Sequence, residues 1–369
     1  MLDRNTWTKT VSELNKIDGV QATAYFYKFS GRSELNDETR VISLLRIRGL
    51  FAIEWILRTL LIITKEKKSV IFVDIFTFPV VIISRLFRRD HRFILDIRTL
   101  YFNFSNTKKK SFRNLVYKNW TRASLWFCSK FRIEVSVIVP ELQSYIASLG
   151  FREPINSFVW SSGFDADDFS NVKLTRQSES LLLLYHGHIT ENRGLLSCID
   201  SISDLRLLFP SLEYHIYGTG PFLQELKKTI VNKGYNDFVK YKGVLDYELI
   251  PELLKSADLA LMNYPKGDYW NYNNPIKFSE YLASGVLIVH SEIPSFNRFL
   301  QNYHSYVLDE ENRIEDVIKC YASKKAKNNC ELVKMRKENR NRVLEEHTWS
   351  AKANTIYNYL SNESPIHNK

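Results

Sequence analysis

Between residues 181 and 291 the chain alternates short apolar runs with helical stretches, and this regularity restricts its fold more than any other feature. We read "LLLLYHG", "LEYHIYG", "FVKYKG", "DLALMN" and "VLIVHS" as strands, most of them separated by about ten or more residues of helical pattern. Strands that alternate with helices of that length build a parallel sheet with crossover helices. The last of these strands follows "NNPIKFSEYLASG", where Asn274 is a candidate cap, Pro275 suits a first turn and Gly285 suits a left-handed stop. Glu280 lies in the middle of that helix. A carboxylate on a helix packed against a sheet is either turned outward to pair with Lys277 or buried for a reason.

The first half repeats the theme less regularly, with strands expected at "VQATAYFYKF", "SVIFVDIF", "RFILDIRTL", "ASLWFC" and "VSVIVP". A chain of 369 residues exceeds one hydrophobic core. The polar, aperiodic residues 160–180 therefore read as a boundary. We expect an α/β protein with an N-terminal domain over 1–160, a linker over 161–180, a second domain over 181–345, and a C-terminal helix over 346–369 that can cross back to the first domain. Such sheets bind ligands at the carboxyl ends of their strands.

Two helix starts in the second domain suit an anion. In "YHGHITENRGLL" a strand closes at Gly187 and a helix is expected within a few residues, with Thr190 as cap and Arg193 in the first turn. Lys277 occupies the first turn of the helix expected at Asn274. Together they could clamp one diphosphate, with Gly218 and Gly220 of "GTGP" forming a neighbouring turn. A Glu one turn deeper, at position 280, could then accept two hydroxyls of a ribose.

"HGHITENRGL", "HIYGTGPFLQEL", "VKYKGVL" and "NPIKFSEYLASGVLIV" occur in the order and spacing of nucleotide-sugar glycosyltransferases of family 4, which this sequence resembles over residues 155–310. The resemblance implies the GT-B fold, two Rossmann-like domains with parallel sheets facing across a cleft. It also implies a nucleotide-sugar donor on the second domain, retention of anomeric configuration, and no metal or other cofactor. By the same resemblance Glu280 holds the ribose, Arg193 contacts the diphosphate, and backbone at Val244 and Leu245 faces the base. Many members carry a second Glu eight positions before the ribose Glu. Here that position is Tyr272, so Asn273, Asn274 or backbone amides must serve. His188 stands where a second basic residue commonly follows the strand glycine.

Catalysis is then expected from Arg193 and Lys277, which stabilise the departing diphosphate, and from Asp96 on the acceptor side. Asp96 and Arg98 end an apolar strand of the first domain and are equally readable as a strand-end ion pair. Charge is uneven: residues 1–160 carry 26 Lys+Arg against 14 Asp+Glu, while the remainder carries 25 against 27. The basic segments "RLFRRDHRF" and "TKKKSFRNLVYKNWTR" mix cations with aromatics, as a helix lying on an anionic membrane does. These features point to a lipid-linked saccharide acceptor, a cytoplasmic enzyme peripheral on the inner face of the plasma membrane, and bacterial surface-polysaccharide assembly of the O-antigen or capsule kind. No nucleic-acid module accompanies the charge.

Four cysteines without a CxxC pair argue against a disulfide framework or a zinc site. The most apolar windows are interrupted by Glu54 and Arg58 or by Asp74 and Pro79, short of a membrane span. A nucleotide-sugar 2-epimerase and a degenerate scaffold protein are the competing readings of the same fold. At the start of the chain we expect a helix and then a strand with none before it, which means either a sheet one strand smaller or a native start upstream of Met1.

Overall fold

The computed structural model describes residues 4–28, 39–43, 51–67, 69–87, 90–100, 112–170 and 180–362. The chain divides into two compact units, Met1–Gly163 with Trp349–Lys369, and Phe164–Thr348.

The first unit runs α1 (Arg4–Leu14), β1 (Ala24–Lys28), β2 (Thr39–Ser43), α2 (Phe51–Lys65), β3 (Val70–Val73), α3 (Phe78–Phe87), β4 (Arg92–Ile97), α4 (Phe112–Phe131), β5 (Glu134–Val137), α5 (Pro140–Ser148) and β6 (Ser157–Val159). Strands β3 to β6 pair in chain order, all parallel, and β1 pairs with β2, also parallel. Helix and then strand follow one another at the start as expected; residues 1–3 lie outside the described residues. Two of these strands, β2 and β6, escaped the sequence reading.

The reading of "ASLWFC" as a strand is corrected, because residues 123–128 belong to α4. The buried side chains there are Thr121, Ser124, Leu125, Cys128 and Ser129. Their spacing of three and four is helical, and a six-residue window is too short to reveal it.

The second unit runs β7 (Leu181–His186), α6 (Leu195–Ser203), β8 (Leu212–Tyr217), α7 (Leu223–Asn232), β9 (Val239–Gly243), α8 (Ile250–Leu254), β10 (Leu259–Met262), α9 (Asp268–Asn271), α10 (Lys277–Ala283), β11 (Leu287–Ser291), α11 (Pro294–Leu300), β12 (Ser305–Leu308), α12 (Ile314–Lys327) and α13 (Asn329–Glu346). Its strands form one parallel sheet in the order β12-β11-β10-β7-β8-β9. All five strands read from sequence are present, with β12 added at the edge. Every residue of β7, β10 and β11 is buried, as sheets covered on both faces require. Helix α6 contributes Leu195, Cys198, Ile199 and Ile202 to the same core. Buried Asp258 fixes the start of β7: it accepts from the Leu182 amide at 2.8 Å and the Tyr321 hydroxyl at 3.0 Å, with the Lys325 ammonium at 3.0 Å.

The boundary segment is only partly a linker. Phe164 and Phe169 are buried in the second unit's core with their rings edge to face at 5.4 Å. The chain then ends on α14 (Trp349–Asn362), which packs into the first unit. Ile356 joins Trp7, Phe158 and Trp160 in that core, and Tyr359 stacks on Phe158 at 3.8 Å.

Candidate active site

In the second sheet, strand order reverses between β7 and β10. Open parallel sheets bind ligands at the carboxyl ends of their strands at such a reversal. The polar side chains of interest in this unit gather around it.

After β7 the backbone turns at Gly187, whose φ of +120° disfavours any side chain. A Cβ there would overlap the side chain of Lys277, whose Nζ would lie 2.6 Å away. The missing side chain is therefore the space in which Lys277 lies. Gly218 (φ +126°) and Gly220 allow the loop after β8 to press against the first: a Cβ on either would run into the carbonyl of Gly187 or of Ile189. The Gly187 and Ile189 amides donate to the Tyr217 and Thr219 carbonyls at 3.0 and 2.8 Å. On the other side, the Gly218 amide donates to the Gly243 carbonyl at 2.7 Å, which brings Val244 and Leu245 to the same end of the sheet.

Arg193 differs from expectation in its local setting. Residues Glu191–Arg193 form a 3-10 turn, Gly194 (φ +65°) follows, and α6 begins only at Leu195. Thr190 makes no cap; its hydroxyl donates to Asn192 Oδ1 at 2.6 Å. A Cβ on Gly194 would overlap the Asn263 carbonyl after β10, so close contact between the two loops sets the turn. The guanidinium lies over the rings of Trp270 (4.6 Å) and Tyr264 (5.0 Å), and Nη1 donates to the Tyr264 hydroxyl at 2.8 Å. Trp270 in turn donates to the Asn192 carbonyl at 3.1 Å, so the loops after β7 and β10 together hold Arg193.

Asn274 is likewise not a cap. Helix α10 begins at Lys277 after a tight turn in which the Phe278 amide donates to the Pro275 carbonyl at 3.1 Å, and no side chain caps it. That turn moves the helix start beyond the reach of Asn274, whose buried Oδ1 has no partner. The Asn273 amide group donates to the Tyr269 carbonyl. Gly285 does end the helix in the left-handed region, with φ +72°.

Glu280 is buried, 3% exposed, so the outward ion pair is ruled out. Burial raises its pKa, opposed by Lys277 and by a hydrogen bond from the Tyr247 hydroxyl. Lys277, partly buried, is brought down to about 7 by burial and by Arg193, with Glu280 opposing. His186 ends β7 with Nε2 3.3 Å from Glu280 Oε2. Its pKa falls to about 3 through burial and the Lys277 charge. The expected His188 is exposed; its backbone carbonyl accepts from the Tyr185 hydroxyl at 2.8 Å.

The fold thus gathers Gly187, Arg193, Gly218, Lys277 and Glu280, with Val244 and Leu245 alongside, and adds His186, Tyr247, Tyr264 and Trp270. Asp96 and Arg98 belong to the other unit. Asp96 is 2% exposed and accepts from Ser136 at 2.7 Å, with burial raising its pKa and Arg98 opposing. It faces the interior and is not displayed to a ligand. Arg98 lies over the Trp160 ring at 4.2 Å and donates to Ser162 at 2.8 Å. Among the described residues no three His, Cys, Asp or Glu side chains gather as metal ligands.

Residues 167–342, within the second unit, match the family described as glycosyl transferases group 1. The chain is a glycosyltransferase of GT-B architecture. Sucrose-phosphate synthase from Thermosynechococcus elongatus superposes with a TM-score of 0.73 at 14% identity, over 98% of this chain and 94% of its own. A glycosyltransferase from Rickettsia africae gives 0.70 at 15%, over 99% and 97%. HepE from Anabaena, solved in complex with UDP, gives 0.67 at 12%, over 92% and 100%. No curated protein matches the sequence.

Proposed function

We propose that this glycosyltransferase moves a sugar from a uridine diphosphate sugar to a lipid-linked saccharide, with retention, in the assembly of a bacterial surface polysaccharide. The observation that carries the donor reading is the meeting of Arg193, Lys277 and Glu280 at the carboxyl ends of β7 and β10. Two fixed cations suit a diphosphate, and a buried carboxylate one turn beyond Lys277 suits a ribose diol. HepE structures holding UDP and UDP-glucose support uridine as the base.

In the reaction the bond from the sugar's anomeric carbon to the β-phosphate oxygen breaks, and a bond to the acceptor oxygen forms on the same face. The acceptor's proton passes to the departing diphosphate. Arg193 and Lys277 stabilise the charge that grows on the leaving group, so the transfer draws its positive charge from them and not from a metal. Arg98 is the acceptor-side contact in this reading, held by Ser162 and the Trp160 ring, with buried Asp96 acting on it through charge.

A thermal-shift screen of nucleoside diphosphates and their sugars tests the donor. A ligand at about 100 times its dissociation constant adds about 2.7 kcal/mol of stability. Absence of a shift with every nucleotide sugar would overturn the reading.

Support for a membrane-linked acceptor comes from α4. It exposes Phe112, Leu115, Val116 and Trp126 along one face, beside exposed Lys118, Arg122 and Lys130. Of the basic region expected to dock, residues 88–89 and 101–111 lie outside the described residues. No helix among the described residues is long and apolar enough to cross a membrane. Sedimentation with phosphatidylglycerol vesicles should exceed that with phosphatidylcholine vesicles and decline as salt rises. Equal sedimentation with both would sink the membrane reading.

A further inference from the structure

We propose that His186 is a positioning residue for donor binding, its imidazole holding the Glu280 carboxylate in the orientation that receives the ribose diol. This rests on the reading of Glu280 as the ribose contact. His186 is fixed from two directions. Its backbone amide, at the end of β7, donates to the Tyr281 hydroxyl at 3.1 Å, and its ring meets the Tyr281 ring edge to face at 4.9 Å. Tyr281 is the neighbour of Glu280 on α10, so one residue of β7 sets the height of that helix turn above the sheet. The ring is 6% exposed, and Nε2, enclosed, has no hydrogen-bond partner of good geometry. Glu280 Oε2 is 3.3 Å away.

Packing alone does not account for a histidine here. A phenylalanine would make the same edge-to-face contact with Tyr281, whereas an enclosed imidazole nitrogen left without a partner is unfavourable. The nearby Lys277 charge and the burial keep the ring neutral, so it carries one N–H. A neutral donor steers a carboxylate without cancelling its charge. A carboxylate offers about four acceptor positions. With one held by Tyr247 and one turned onto the His186 N–H, 3.3 Å away, when the diol binds, two remain for two vicinal hydroxyls. A cation in place of His186 would compete with Lys277 and weaken the grip of Glu280 on neutral hydroxyls.

Calorimetric titration with UDP and 2′,3′-dideoxy-UDP distinguishes positioning from packing. His186→Phe should weaken UDP binding about tenfold, the loss of one hydrogen bond to a charged group. It should leave the weaker binding of dideoxy-UDP unchanged, and His186→Gln, which places an N–H near the same point, should recover most of the loss. In a Glu280→Ala background the Phe substitution should have no further effect.

Equal weakening of both ligands by His186→Phe, or additive losses in the double variant, would assign His186 to packing and overturn the proposal. If the Phe variant does not fold, the Gln and Asn variants carry the comparison, since Asn does not reach the Nε2 position. Equal UDP affinity of those two overturns it as well. If Glu280→Ala itself leaves UDP affinity unchanged, or wild type does not bind UDP, the donor reading fails and takes this inference with it. If Glu280→Ala weakens binding and His186→Phe does not, only the role of His186 falls.

Discussion

Donor binding should take up a proton at neutral and alkaline pH, with Lys277 as the group responsible. In the free site its pKa lies at about 7, because burial and the Arg193 charge outweigh the attraction of Glu280. A diphosphate beside the ammonium restores the ordinary preference for the charged form. Lysine in the free protein is therefore charged below pH 7 and must be reprotonated on binding above it. Affinity should fall by up to tenfold per pH unit above 7, which amounts to about 30-fold, or 2 kcal/mol, by pH 8.5. The other charged groups facing Lys277 do not produce this slope: Arg193 stays charged, and His186, with a pKa of about 3, stays neutral. Glu280, raised by burial, acts in the opposite limb, because its protonation at lower pH removes the ribose acceptor and weakens binding there too.

Stability of the free protein runs the other way. A lysine whose folded pKa lies below its unfolded value disfavours folding at acid pH. Its unfavourable contribution disappears as pH rises from 7 towards the ordinary lysine value. Titration calorimetry with UDP-glucose, in pairs of buffers with different ionisation enthalpies, measures both affinity and proton uptake. About 0.9 proton should be taken up at pH 8, given a free pKa near 7. Lys277→Met should flatten the alkaline limb. Constant wild-type affinity from pH 7 to 8.5, with no buffer-dependent heat, would refute the assignment.

Three further variants test the remaining parts. Glu280→Ala should weaken nucleotide binding by about 100-fold or more with an unchanged circular dichroism spectrum, and Glu280→Gln should lose less; this follows from two hydrogen bonds to a charged group at about 1.5–3 kcal/mol each. Arg193→Ala should lower kcat more than it raises KM, because charge on the diphosphate grows in the transition state; an effect on KM alone would make Arg193 a uniform binder. Gly187→Ala should cost about 1–3 kcal/mol of stability through its φ of +120° and should also weaken donor binding by displacing Lys277. A melting temperature and donor affinity equal to wild type would contradict the close approach described here.

The two halves of the chain differed in how far sequence alone exposed them, and the reason is local versus distant information. In the second unit β7, β10 and β11 are short, wholly buried runs, and β7, β8 and β9 each run into a turn glycine, so pattern and structure share a length scale. In α4 the pattern is spread over 20 residues, and its exposed Phe112, Leu115, Val116 and Trp126 blur the contrast between faces. A short window there sees only an apolar run.

The same distinction runs through the site. Gly187 with Arg193, and Lys277 with Glu280, could be read as candidate pairs because a strand end and a short helix each keep two of these residues close in sequence. Tyr264 and Trp270 acquire their role only by reaching across the reversal in strand order to Arg193, which is 71 residues before Tyr264. Tyr247 reaches Glu280 from the turn after β9. His186 was hidden for a different reason: on a buried strand, a histidine looks like one more core residue until the helix that lies over it is known. A residue that acts through its neighbour has no spacing of its own to detect, so the residues holding Glu280 and Arg193 in place could be found only once the sheet order and the packing of α10 against β7 were in hand.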